Sequence, residues 1–133
     1  LSFWPIWGVA FVTVGTVRLV NALVVSRIMY ASQAFNGYLC EYDIAKLQAI
    51  LNKAYRYKII ANKMDVKQMF ESADVKLFSA ITRVNGHCLQ PLLLPKPVTS
   101  MQLRPRGHNF QLPNVETELH KLSYLVRCLY KYV

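Results

Sequence analysis

Acidic residues are scarce in this chain, and closely spaced cysteines are missing altogether. Only 7 Asp and Glu stand against 16 Lys and Arg. No acid occurs between Asp74 and Glu116, a span that holds Lys76, Arg83, Lys96, Arg104 and Arg106. The resulting charge of +9 attracts polyanions, nucleic acid before an anionic membrane surface. Cys40, Cys88 and Cys128 form no Cys-x-x-Cys pair and no even set. That pattern argues against a zinc site or a secreted disulfide scaffold, and for free thiols in a reducing compartment. His87 beside Cys88 changes little, because adjacent side chains rarely converge on one ion. With five glycines there is no phosphate-cradling Gly-rich loop, and no Gly-x-Ser-x-Gly turn occurs. Asp43, Asp65 and Asp74 make no evident catalytic pair, two of them reading as helix caps. Nothing in the spacing of Cys88 or Cys128 and His120 singles out a nucleophile pair. The expectation is a non-catalytic chain that needs no cofactor.

What is present is apolar. Hydrophobic residues make up 53% and aromatics 12%, enough to exclude wholesale disorder. The 133 residues suit one domain, or a piece of a larger one. Residues 1–17, LSFWPIWGVAFVTVGTV, carry no charged side chain, and their number sits at the short limit for a membrane span. Pro5, Gly8 and Gly15 interrupt the run, and VAFVTV favours a strand. A basic leader and a small-residue cleavage site are both missing from it. Leu1 in place of Met suggests a fragment or a processed form. Three readings stay open for this segment: burial against a parent protein, which we prefer, a marginal membrane anchor, or sequence joined by a faulty gene model.

Helical periodicity recurs four times, so the expected fold is mostly α, a small bundle of about four helices. The first carries Leu19, Leu23, Ser26 and Tyr30 at helical spacing, is apolar nearly all round, and is expected to stop at Asn36-Gly37. The second runs from an Asp43 cap to Ile60, with Ile44, Leu47, Leu51 and Ala54 on one face and Lys46, Lys53 and Arg56 elsewhere. The third starts at Asp65, capping near Gln68, and aligns Val66, Phe70, Ala73, Leu77, Ile81 and Val84. The fourth follows Pro113, with Asn114 as cap, Glu116 and Glu118 in its first turn, and an unbroken stripe from Val115 to Val133. Its opposite side, His120, Tyr124, Arg127 and Lys131, is either a solvated face or a row of phosphate contacts. A long irregular Pro-rich connector, residues 85–113, separates the last two helices, and its leucines 89 and 92–94 are expected to form a docked turn.

The run VNALVVSRIMYASQAFNGYLCEYDIAKLQAILNKAYRY joins an apolar helix, a Ser-Arg-Ile-x-Tyr-Ala turn and an Asp-Ile-x-x-Leu-x-x-x-Leu-x-x-Ala-x-Arg helix. Further on come ESADVKLFSAITRVNGHCLQPLLLP and LRPRGHNFQLPNVETELHKLSYLVRCLYKYV. In that order these segments resemble the thumb and extreme C-terminal region of LINE-type (non-LTR) retrotransposon reverse transcriptases, over roughly residues 17–133. The resemblance divides the chain into an unexplained apolar piece (1–16), a thumb-like region (17–62) and a post-thumb region (63–133). It implies sequence-independent grip on a template–primer duplex by Lys46, Lys53, Arg56, Arg104, Arg106, Arg127 and Lys131. The family's two Mg ions are held by paired aspartates in a palm whose Tyr-Ala-Asp-Asp type motif this sequence lacks. The implied partners are nucleic acid and that missing palm, and the implied location is the nucleus or cytoplasm. A competing role for Arg104 and Arg106 is local pairing with Glu116 or Glu118. A competing role for the whole chain is a small basic membrane protein anchored by residues 1–17.

Overall fold

The computed structural model describes residues 14–95, 98, 104 and 107–133. They are mostly helical, and no β-strand occurs among them. The chain forms two compact units: Leu1–Ser32 with Leu39–Phe70, and Gln33–Tyr38 with Glu71–Val133. The second unit thus joins a six-residue piece of the early chain to the late one.

In the first unit, α1 (residues 14–20) runs through a π turn, Asn21–Val25, into α2 (Ser26–Met29). The Ser26 hydroxyl donates back to the Ala22 carbonyl, a local bond that competes with regular helix pairing. The helix stops earlier than Asn36-Gly37. Tyr30 turns extended (ψ 120) and Ala31 takes the left-handed region (φ 51). A short α3 (Ser32–Phe35) and a 3-10 turn, Asn36–Tyr38, come next, and from Gln33 to Tyr38 the chain belongs to the second unit. Gly37 does not have a positive φ, so its small size serves packing and not a left-handed turn.

Helix α4 (Glu41–Arg56) begins before Asp43. Cys40 is the extended N-cap residue, and the Asp43 carboxylate sits in the first turn accepting from the Cys40 thiol at 3.0 Å. Lys58, with φ 56, turns the chain away, so Ile60 is buried beyond the helix and not on it. Of the predicted apolar face, Leu51 is fully buried and Ile44, Leu47 and Ala54 are half-buried. Gln48 fixes the path into the next helix: its amide donates to the Met64 carbonyl at 2.8 Å, while its oxygen accepts from the Val66 amide at 2.9 Å. That helix, α5 (Val66–Arg83), starts under Asp65, whose carboxylate accepts from the Lys67 amide, one residue before the expected Gln68. Val66 and Phe70 of its stripe are buried in this unit, and Ile28 and Leu51 are buried there as well.

The second unit holds the rest of α5. Phe78 and Ile81 form a core with Leu93, Cys128 and Leu129. Each fully buried apolar side chain of that size stabilises by about 1.5–3 kcal/mol. The stripe on α5 ends at Ile81, since Val84 is exposed. Leu93 reaches the core, with Leu89 packed against it, because a 3-10 turn, Gln90–Leu92, folds the segment inward as expected, while Leu92 and Leu94 of the expected docked set stay exposed. The connector then closes on itself: Pro95 bridges Phe110, and the Gln111 amide donates to the Leu94 carbonyl.

The fourth helix is two helices. Thr117, not Asn114, is the cap, its hydroxyl accepting from the His120 amide at 3.2 Å ahead of α6 (Glu118–Leu122). Ser123 is extended (ψ 149), and α7 (Tyr124–Lys131) restarts after it. The break rotates the predicted stripe out of register. Val126 and Leu129 stay buried, Cys128 joins them, and Leu119 and Val133 are exposed.

Candidate nucleic-acid interface

Two surfaces bear on the expected grip, and each belongs to one unit. On α4, at about 3.6 residues per turn, positions 42, 46, 49, 50, 53, 56 and 57 share one side. All seven are exposed: Tyr42, Lys46, Ala49, Ile50, Lys53, Arg56 and the C-cap Tyr57. The two tyrosines, 67% and 64% accessible, flank the three cations. Lys46 Nζ lies 4.1 Å from the centre of the Tyr42 ring, a cation–π contact that steadies the side chain without neutralising it.

No carboxylate quenches this face among the described residues. Glu41 is held by Lys67 at 2.8 Å, and Asp43 is occupied by the Cys40 thiol. Lys53 and Arg56 fall in the last turn, where the helix dipole favours positive charge. From Lys46 to Arg56 the helix rises about 15 Å. Along that length duplex DNA carries about nine phosphate charges over its two strands, at a spacing that does not depend on base sequence. Helix phase in the sequence places the lysines and Arg56 here. It does not mark Tyr42 and Tyr57, which the interleaving of aromatics with bases on one face could have revealed.

The other candidates divide. Arg104 is exposed and forms no ion pair with Glu116 or Glu118 among the described residues. Arg106 lies outside the described residues. Arg127 and Lys131 are already engaged within the second unit. The Arg127 guanidinium meets Asp74 at 2.8 Å, with the two side chains only 20% and 6% accessible, and also donates to the Gln33 carbonyl. Asn36 donates to the same Asp74 oxygen at 3.2 Å, and the Tyr124 hydroxyl donates to the Asp74 carbonyl at 3.0 Å. Lys131 binds Glu71 at 2.6 Å, and this bond raises its pKa. Of the row His120, Tyr124, Arg127 and Lys131, the last three are thus tied within the unit and do not stand as a free line of phosphate contacts.

Burial dominates the remaining electrostatics. It raises the Tyr124 and Tyr132 hydroxyls and pushes the Cys128 thiol up to about 11. Gly37 fits because a Cβ there would overlap the Leu122 carbonyl and the Arg127 guanidinium. Gly107 likewise allows a close approach, but to the Tyr132 carbonyl and not to a phosphate. His108 is buried beside it: Nε2–H donates to the Leu129 carbonyl at 2.7 Å, and Nδ1 accepts from the Phe110 amide at 3.3 Å. Those two bonds fix the ring's tautomer and its structural role. His87 is similarly used in a turn, accepting from the Leu89 amide. Comparison with family models, with curated proteins and with solved structures found no match to the chain.

Proposed function

We propose that this chain grips the sugar–phosphate backbone of a nucleic-acid duplex without reading its sequence, as the thumb and tail of the LINE-type reverse transcriptases it resembles would do. The observation that supports this reading is the α4 face, where Lys46, Lys53 and Arg56 stand exposed between Tyr42 and Tyr57 with no carboxylate partner among the described residues. The chain supplies grip and no chemistry; the metal-holding aspartates of such a polymerase belong to a palm that would be its partner. Anisotropy titration of a labelled RNA–DNA duplex across a salt series tests the reading. The unmodified protein should lose affinity steeply with salt and rank different duplex sequences alike. Replacing Lys46, Lys53 and Arg56 together by Gln should flatten the log–log salt slope by roughly 3, about one per lost phosphate contact. An unchanged slope, or strong preference for one sequence, defeats it.

A second reading has its own observation. By length and composition Val14–Tyr38 could cross a membrane, and its apolar window is only 6% buried. Geometry weighs against a straight span: the chain turns at Tyr30 and Ala31. The described helix, residues 14–29, is about 24 Å long against a hydrocarbon core of about 30 Å. Of the anchor at residues 1–17, residues 1–13 lie outside the described part. Flotation with neutral vesicles that is lost when residues 1–29 are removed supports the membrane reading; absence of flotation ends it.

A further inference from the structure

A cleft of about 420 Å³ opens in the second unit between the last turns of α5 and residues 107–110. Its volume falls within the range of small-ligand sites, roughly 300–1,000 Å³. Four rings line it: Phe78, His108, Phe110 and Tyr132. They form one cluster, with Phe78 tilted 5.3 Å from Tyr132 and edge-on 6.0 Å from His108, and His108 tilted 5.8 Å from Phe110. Phe110 and Tyr132 are only half-buried, so their rings can still be covered by a ligand. The His108 bonds to Leu129 and Phe110 and the close fit of Gly107 on Tyr132 hold this wall in place before anything binds.

The polar groups at the mouth narrow the choice of ligand. Arg83 and Asn109 both line the cleft and are exposed, and among the described residues no carboxylate lines it. Thr82 turns its hydroxyl to the Phe78 and Ser79 carbonyls, so the Asn109 amide, with the Ser79 hydroxyl, is among the neutral hydrogen-bonding groups that remain in the lining. Flat π faces, one amide able to meet both halves of a base edge, and one guanidinium match a nucleotide better than a peptide or an acyl chain. Aromatic faces take bases by stacking, and a guanidinium takes phosphate through paired donors.

We propose that this cleft holds one unpaired nucleobase of a single-stranded nucleic acid, stacked on Phe110 and Tyr132, with the adjoining phosphate on Arg83. The site extends the nucleic-acid reading to a second surface, and it is independent of α4. Titration of the whole chain with adenosine 5′-monophosphate, followed by amide chemical shifts, provides the test. Shifts should concentrate at Arg83, Asn109 and Phe110 and should persist when Lys46, Lys53 and Arg56 are all Gln. Arg83→Gln, at an exposed position, and Phe110→Leu should each weaken binding about tenfold, in line with the loss of one stacked base or one phosphate contact. Circular dichroism reports whether Phe110→Leu folds; if it does not, Arg83→Gln decides alone. Shifts elsewhere, equal affinity in Arg83→Gln, or the same shifts from inorganic phosphate would overturn the base site while leaving the duplex grip of α4 standing. Loss of duplex binding in the α4 variant, with nucleotide shifts retained, is the expected separation of the two.

Discussion

Replacing Asp74 by Ala probes whether Arg127 belongs to the fold or to a ligand. At the 2.8 Å separation of this pair, the Coulomb attraction at an effective dielectric constant near 20 is about 6 kcal/mol before desolvation. Desolvating two ions cancels much of that, so the pair as a whole contributes little net stability. Removing one partner is different: it strands the other charge where the surrounding protein excludes water, at about 3–5 kcal/mol. Asp74→Ala also removes the acceptor of Asn36. Arg127→Met should cost a similar amount, because Asp74 is the more deeply buried of the two. The double variant should cost less than the sum by up to about 3 kcal/mol, the signature of direct coupling. Urea unfolding followed by circular dichroism measures all three. A total stability of about 5–15 kcal/mol leaves Asp74→Ala marginal. If Asp74→Ala lies within about 1 kcal/mol of the parent while Arg127→Met abolishes duplex binding, the pair is not structural and Arg127 is a phosphate contact after all.

Gly37→Ala should destabilise by about 1–3 kcal/mol, the usual cost of forced overpacking, since the added methyl meets the Leu122 backbone; thermal unfolding checks it. Tyr132→Phe should be neutral or slightly stabilising in the same assay, because the Tyr132 hydroxyl is buried with no hydrogen-bond partner among the described residues. Native thiol titration near pH 8 should label the exposed Cys40 and Cys88 and spare the buried Cys128. Because burial holds the Cys128 thiol at about 11, above its usual 9.0, the unfolded chain releases that proton first as pH rises. Stability should therefore be intact below about 9 and fall between about 9 and 11, as denaturation curves across that range would show.

The helices with one buried face were legible because burial imposes a 3.6-residue period, and α4 and the stripe of α5 carry it without interruption. What escaped detection was geometry that leaves the period intact. Ser123 breaks the last helix with a single extended residue inside an unbroken i, i+4 pattern, so the residues announced one helix and the backbone made two. Residues 14–29, apolar nearly all round, carry no phase from which a π turn or an early stop at Ala31 could be read. For the candidate site, the exposed cations of α4 came directly from helix phase. The fate of Arg127 did not, because its partner Asp74 lies 53 residues away, and no local rule pairs them. The seat of Gly107 against the Tyr132 carbonyl was not legible either, for the same reason.

The six residues Gln33–Tyr38, spliced by chain order into the first unit yet folded into the second, also carry a kinetic consequence. Their bonds run to Asp74, Leu119 and Arg127, over separations of 38, 81 and 94 residues. A loop of that length closes at an entropic cost that later contacts must offset, and contacts so distant form late. As synthesis proceeds from the N-terminus, the segment must wait, with its polar groups in water, until α7 has been made. The last helix is thus the clasp of an early strip of chain. Refolding should show Gln33–Tyr38 gaining hydrogen-exchange protection together with Tyr124–Lys131, and after α4.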